Sequence, residues 1–167
     1  MFVEQADLLK GVGRRFIKKF VKIMVDESHL QGAFLFKEGD PANNFYILEE
    51  GSVKLSIGKE GHITHIVSKR GEAFGWSSLV DREVYTASAE CAAPTKVLKI
   101  PKEEMNRILD KNPADGLIFY KRLAGIVGER LINSFNSLLL AQASEDHRTY
   151  GSSLTLQQRA GESAEAV

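Results

Sequence analysis

The sequence is poor in the residues that would mark several classes of protein. It has one cysteine, Cys91, in 167 residues. A lone thiol excludes an internal disulfide framework and cannot by itself hold an iron–sulfur cluster. No apolar run approaches the ~20 residues that cross a bilayer. The N-terminus also lacks the basic-then-apolar order of a secretory signal, since Met1-Phe2-Val3 runs straight into Glu4. A cytoplasmic chain that stays off membranes is expected. Net charge is missing too: Lys+Arg and Asp+Glu each number 22. That argues against the basic surface that nucleic acid favours, while leaving room for a local patch. Catalytic motifs are absent, with no nucleophile elbow, Walker A loop, paired-carboxylate motif or metal tetrad. Gly71 and Gly75 lie between hairpin-like flanks and not in a βαβ unit, so a dinucleotide site does not fit either. The chain is expected not to be an enzyme.

What is present is ordinary for one globular domain, 43% hydrophobic and 26% charged. Residues 1–28 read as a helical segment. Phe16, Phe20 and Met24 recur at four-residue steps, and Arg14, Lys18, Lys19 and Lys22 cover the other side. Such a basic face suits a helix packed on a neighbour with its charges solvated. From 29 to 101 the period changes to short apolar or alternating runs, among them Phe45-Tyr46-Ile47-Leu48 and Val53-Lys54-Leu55-Ser56-Ile57. Turn sequences such as Glu38-Gly39-Asp40-Pro41 and Glu50-Gly51 separate them. Short strands at this spacing predict an antiparallel barrel or jelly roll (a β-roll), and with the helices an α+β fold.

Residues 102–143 read as C-terminal helices: a short amphipathic helix over Lys102–Lys111, a break at Asn112-Pro113, then a long helix from Ala114. The long helix carries two apolar stripes. Leu117, Tyr120, Ala124, Val127, Leu131, Ser134 and Leu138 form one; Phe119, Leu123, Ile126, Phe135 and Leu139 form the other. Two stripes suggest two partners, the helix's own roll and a second copy of the chain, so a homodimer through 114–143 is expected. The polar, small segment 144–167 is expected to be a flexible tail.

The best candidate site lies in 71–91. Phe74 and Gly75 lead into Trp76-Ser77-Ser78-Leu79, which looks like one helical turn, and Tyr85-Thr86-Ala87 follows. A turn entered from Gly75 aims unpaired backbone N–H groups outward, an anion cradle to which Ser77 and Ser78 can add hydroxyls. The other reading is a ligand-free dimerisation and docking module, with the pocket plugged by the Trp76 indole. In His62-Ile63-Thr64-His65 the two histidines point to opposite faces of a strand and are badly placed to share a metal.

This arrangement resembles the phosphate-binding cassette of the cyclic-nucleotide-binding domain, the effector module of the catabolite activator family. The resemblance covers about Leu30 to Leu140. It is carried by Phe36 to Leu55, by Gly71-Glu72 with Phe74-Gly75, and by Arg122-Leu123 and Glu129-Arg130-Leu131. It implies a non-catalytic regulatory module with a small-molecule effector, a cyclic nucleotide or another small anionic ligand, and no certain cofactor. Such families usually place a Glu after the second glycine, to hold the ribose 2′-hydroxyl. They place an Arg before the Ser/Thr-Ala pair, to neutralise the cyclic phosphate. Here Trp76 and Tyr85 stand in those places. Ser77, Ser78, Thr86 and backbone amides are then expected to hold the anion between two aromatic walls, with Arg82 as a substitute positive charge. In relatives the long helix closes over the ligand, which implies contacts from Asn133 and Ser134. Transcription factors of the family continue into a helix-turn-helix domain, and the 24 residues after Ala143 lack a recognition-helix pattern. No direct DNA binding is expected, and a protein partner would read the shift of the helix.

Overall fold

Eight strands follow one another between Val25 and Pro101 in the computed structural model. It describes residues 6–58, 60–80 and 82–162, with side chains described as far as 141. They are β1 (Val25–His29), β2 (Phe34–Phe36), β3 (Asn44–Glu50), β4 (Val53–Ile57), β5 (His62–Val67), β6 (Ala73–Phe74), β7 (Ser88–Cys91) and β8 (Thr95–Pro101). Helix α1 (Arg14–Ile23) precedes them, and α2 (Lys102–Lys111) and α3 (Pro113–Glu162) follow. All pairings are antiparallel, in two four-stranded sheets ordered β1-β8-β3-β6 and β2-β7-β4-β5. This is the α+β roll that the spacing of short strands predicts. Two compact units divide the chain, Met1–Ile126 with both sheets and Val127–Val167, which takes in the rest of α3.

The run Phe45-Tyr46-Ile47-Leu48 is apolar throughout because β3 is covered on both faces. Tyr46 and Leu48 belong to the core cluster inside the roll, with Phe36, Val53, Phe74, Tyr85 and Val97. Phe45 faces the other way, its ring 6.1 Å from Phe20 of α1 and 6.3 Å from Phe119 of α3. Phe119 also lies 6.3 Å from Phe16, so Phe16, Phe20, Phe45 and Phe119 form a ring layer with no solvent exposure beyond 1%. Burying each ring contributes about 1.5–3 kcal/mol. Helix α1 thus packs by Phe16 and Phe20 and leaves Arg14, Arg15, Lys18 and Lys22 exposed, as its pattern predicts. Its N-terminus has no capping side chain of its own. Asp115 of α3 supplies the acceptor instead, 2.8 Å from the Gly13 N–H.

Three expectations need correction. The helical reading of 1–28 fails after Ile23, because Val25–His29 pairs with β8 along its whole length. Val-Asp-Glu-Ser-His has little β-propensity; cross-strand pairing, including the Glu27–Lys99 ion pair, overrides it. The long helix begins at Pro113 and runs past 143 to Glu162, beyond the end at 143 that its pattern marks. Ala, Gln, Glu and Arg in that stretch are good helix formers; residues 163–167 lie outside the described residues. Lastly, the second stripe of α3 divides. Phe119 and Leu123 are buried, whereas Phe135 and Leu139 are exposed.

Candidate functional site

The cassette is built from β6, a left-handed Gly75, a 3-10 turn over Trp76–Leu79 and the loop that leads to β7. Phe74 is fully buried and anchors the entry. Gly75 has φ 75°, and a Cβ there would lie 3.2 Å from Tyr46 Cδ2 and 3.3 Å from Phe36 Cε1. Only glycine satisfies both the dihedral and the space. Gly75→Ala is therefore expected to cost about 1–3 kcal/mol, read as a lower urea midpoint at unchanged slope; an unchanged midpoint would contradict the packing described.

The turn presents its first amides, at Trp76 and Ser77, without internal acceptors, since a 3-10 turn begins bonding three residues on. Ser78 uses its own amide and hydroxyl on the Gly75 carbonyl, at 3.3 and 3.1 Å. Ser77 is free of that duty, and its Oγ lies 3.4 Å from Thr86 Oγ1. The two ends of the cassette thus meet through hydroxyls, with half-buried Ala87 next in the chain. Trp76 is half-buried.

Tyr85 departs from its expected place as a pocket wall. It is 3% exposed and stacks on Phe36, with ring centroids 3.8 Å apart and planes at 13°. Its hydroxyl donates to the Asn44 carbonyl at 2.5 Å and accepts the Asn44 N–H at 3.1 Å. A phenol whose oxygen is tied on both sides to one backbone residue belongs to the core. Burial pushes the Tyr85 and Tyr46 phenols above their ordinary range, so neither ring carries charge at neutral pH. Main-chain bonds lace the loop down beside it: Tyr85 N–H to Asp40 O at 2.9 Å, Gly39 N–H to Tyr85 O at 2.9 Å, and Ala42 N–H to Glu83 O at 2.8 Å.

Arg82 does not join the Ser77–Thr86 pair. It lines another cavity, with Lys102, Asn106 and Tyr120. Sequence reasoning missed those three because they come from α2 and α3, some 20 to 40 positions away. Asn133 and Ser134 lie in the second unit and are exposed. The Ser134 hydroxyl bonds the Arg130 carbonyl at 2.9 Å, and the Asn133 carbonyl accepts from Ser137 Oγ at 3.0 Å. His62 and His65 do not converge: His62 meets Glu60 at 3.3 Å and His65 meets Glu72 at 2.6 Å. Among the described residues no cluster of His, Cys, Asp or Glu could hold a metal, and no helix is long and apolar enough to cross a membrane.

Two antiparallel four-stranded sheets, with a short cassette between β6 and β7 and helices before and after them in the chain, define the class of the fold. The family model of the cyclic nucleotide-binding domain matches residues 27–112, and the chain belongs to that family. It is 26% identical over 125 residues to the cAMP-dependent protein kinase regulatory subunit of Hypocrea atroviridis, covering 75% of this chain and 26% of that protein. It therefore spans about a quarter of the length of that curated relative. Among solved structures, a proposed cyclic nucleotide-binding protein from Geobacter metallireducens superposes with a TM-score of 0.68 at 27% identity, covering 78% of this chain and 98% of its own. A cyclic nucleotide-binding domain from Methylobacillus flagellatus gives a TM-score of 0.71 at 20% identity, over 83% of this chain and 82% of its own, and shares the fold.

Proposed function

We propose that the chain is a non-catalytic sensor module whose cassette takes a small anionic, nucleotide-like effector, and that it holds a cyclic nucleotide weakly. The observation that carries this reading is the Ser77–Thr86 hydroxyl pair, 3.4 Å apart beside the first amides of the turn. It keeps neutral donors where the charged anchors are replaced. Losing a charge-assisted bidentate contact costs on the order of 2–4 kcal/mol, or about 30- to 1,000-fold in affinity. Calorimetry with cyclic AMP and cyclic GMP should accordingly find dissociation constants weaker by that factor than in a relative carrying both anchors. Thr86→Val should remove the residual binding. Low-micromolar binding by the native chain would refute the weakening.

Occupancy would shift the long helix, to be read by a second copy or by another protein. Exposure of Leu117, Leu131 and Leu138, at 57%, 52% and 62%, supports a homodimer through 114–143. No direct DNA binding is part of this reading. One observation favours a ligand-free docking module instead: Tyr85 and Phe36 already stack within the roll. That alternative requires no thermal shift with any nucleotide in a metabolite panel.

A further inference from the structure

A cavity of about 360 Å3 borders the cassette loop, and its lining includes neither Ser77 nor Thr86. Arg82 and Glu83 of the loop, Lys102 and Asn106 of α2 and Tyr120 of α3 contribute to its walls. All lie within the first compact unit. The Tyr120 hydroxyl is already engaged, donating to the Leu79 carbonyl at 3.1 Å. The groups left to a visitor are the Asn106 amide and three charged side chains. Among the described residues Lys102 Nζ makes one hydrogen bond, to the Arg82 carbonyl at 3.4 Å, which leaves two of its three protons. The Arg82 guanidinium has no ion pair among the described residues, nor does the Glu83 carboxylate. Three charged groups therefore line one cavity without closing on each other.

Among the described residues two cations stand against one carboxylate in the wall, which suits an anion. The planar fork of Arg82 and the point charge of Lys102 match a phosphate group, while the carboxylate repels one and accepts a hydroxyl. We propose that this outer cavity binds a small hydroxylated phosphomonoester, of the sugar-phosphate or nucleoside-monophosphate class. Its phosphate lies between Arg82 and Lys102, and a hydroxyl lies on Glu83. The volume sits at the small end of the range for ligand pockets. Because the walls come from the cassette loop, α2 and α3, a bound molecule joins all three. The site does not depend on the reading of the cassette.

Ribose 5-phosphate is the probe, with ribose and inorganic phosphate as separate arms, followed by calorimetry on the full chain. Ribose 5-phosphate is expected to bind, inorganic phosphate more weakly, and ribose not at all. Arg82→Gln and Lys102→Gln should each weaken binding about tenfold or more. Glu83→Gln should weaken ribose 5-phosphate while leaving inorganic phosphate unchanged or tighter, a split that general surface attraction would not produce. Thr86→Val should leave binding of ribose 5-phosphate intact while removing that of cyclic nucleotide, so the two sites can fail independently. No binding of ribose 5-phosphate by a folded native chain would overturn the proposal, as would binding that survives the Arg82→Gln, Lys102→Gln double substitution.

Discussion

Trp76→Glu combined with Tyr85→Arg is expected to tighten cyclic AMP binding by about 30- to 1,000-fold, corresponding to roughly 2–4 kcal/mol from a charge-assisted contact to the phosphate and an acceptor for the ribose hydroxyl. The cost falls on the unliganded protein. The new guanidinium would enter a site where Tyr85 is 3% exposed, and the chain would lose both the stack on Phe36 and the two hydrogen bonds to Asn44. A buried charge without a partner costs about 3–5 kcal/mol, so the variant should melt well below the native chain. A ligand that binds only the folded state offsets part of this loss. Cyclic AMP should therefore raise the melting temperature of the variant far more than that of the native protein. Trp76→Glu alone, at a half-buried site, serves as the milder control. A folded double variant with less than a threefold gain in affinity would show that the missing anchors are not what limits binding.

Gly51→Ala is expected to damage the roll more than Gly75→Ala does. Gly51 sits in the turn between β3 and β4 at φ 90°, and a Cβ there would lie 2.4 Å from the Pro94 carbonyl oxygen and 2.8 Å from Thr95 Cα. Both obstacles are backbone, and they are held in place. Thr95 is 2% exposed with its hydroxyl 3.1 Å from the Ser52 carbonyl, and the Ala92 N–H bonds the same carbonyl at 2.9 Å. Strain at the dihedral adds to the overlap, for a combined loss on the order of 3 kcal/mol or more. That corresponds to a fall in melting temperature of about 10 °C. A fall of less than about 2 °C, well under that scaling, would mean that the β3–β4 turn gives way easily. Gly58, at φ 79° with nothing within 4 Å of an added Cβ, is the comparison: Gly58→Ala carries the dihedral term without the collision.

Much of the roll was legible because strands and helices announce themselves through period. In β4, Val53 and Leu55 are buried while Lys54 and Ser56 are half-exposed, as their alternation requires. Helix α2 occupies Lys102–Lys111, the stretch that the amphipathic pattern marks. Within the cassette, Gly75 and the turn after it were readable from the glycine and the Trp-Ser-Ser-Leu that follows. Strand β1 was not, since its residues are polar and only its pairing with β8 makes it a strand.

The fate of Tyr85 marks the boundary. That an aromatic ring, and not a charged side chain, precedes Thr86-Ala87 is written in the residue itself. Where the ring goes was decided by Phe36 and Asn44, far earlier in the chain. The positions of Arg82, Glu83 and Lys102 around one gap were likewise decided by how α2 packs against the loop. Local order and chemistry follow from neighbours along the chain, which periodicity reports. Contacts across tens of residues depend on which surfaces fill each other's volume, and that is settled only when the sheets and helices close on one core.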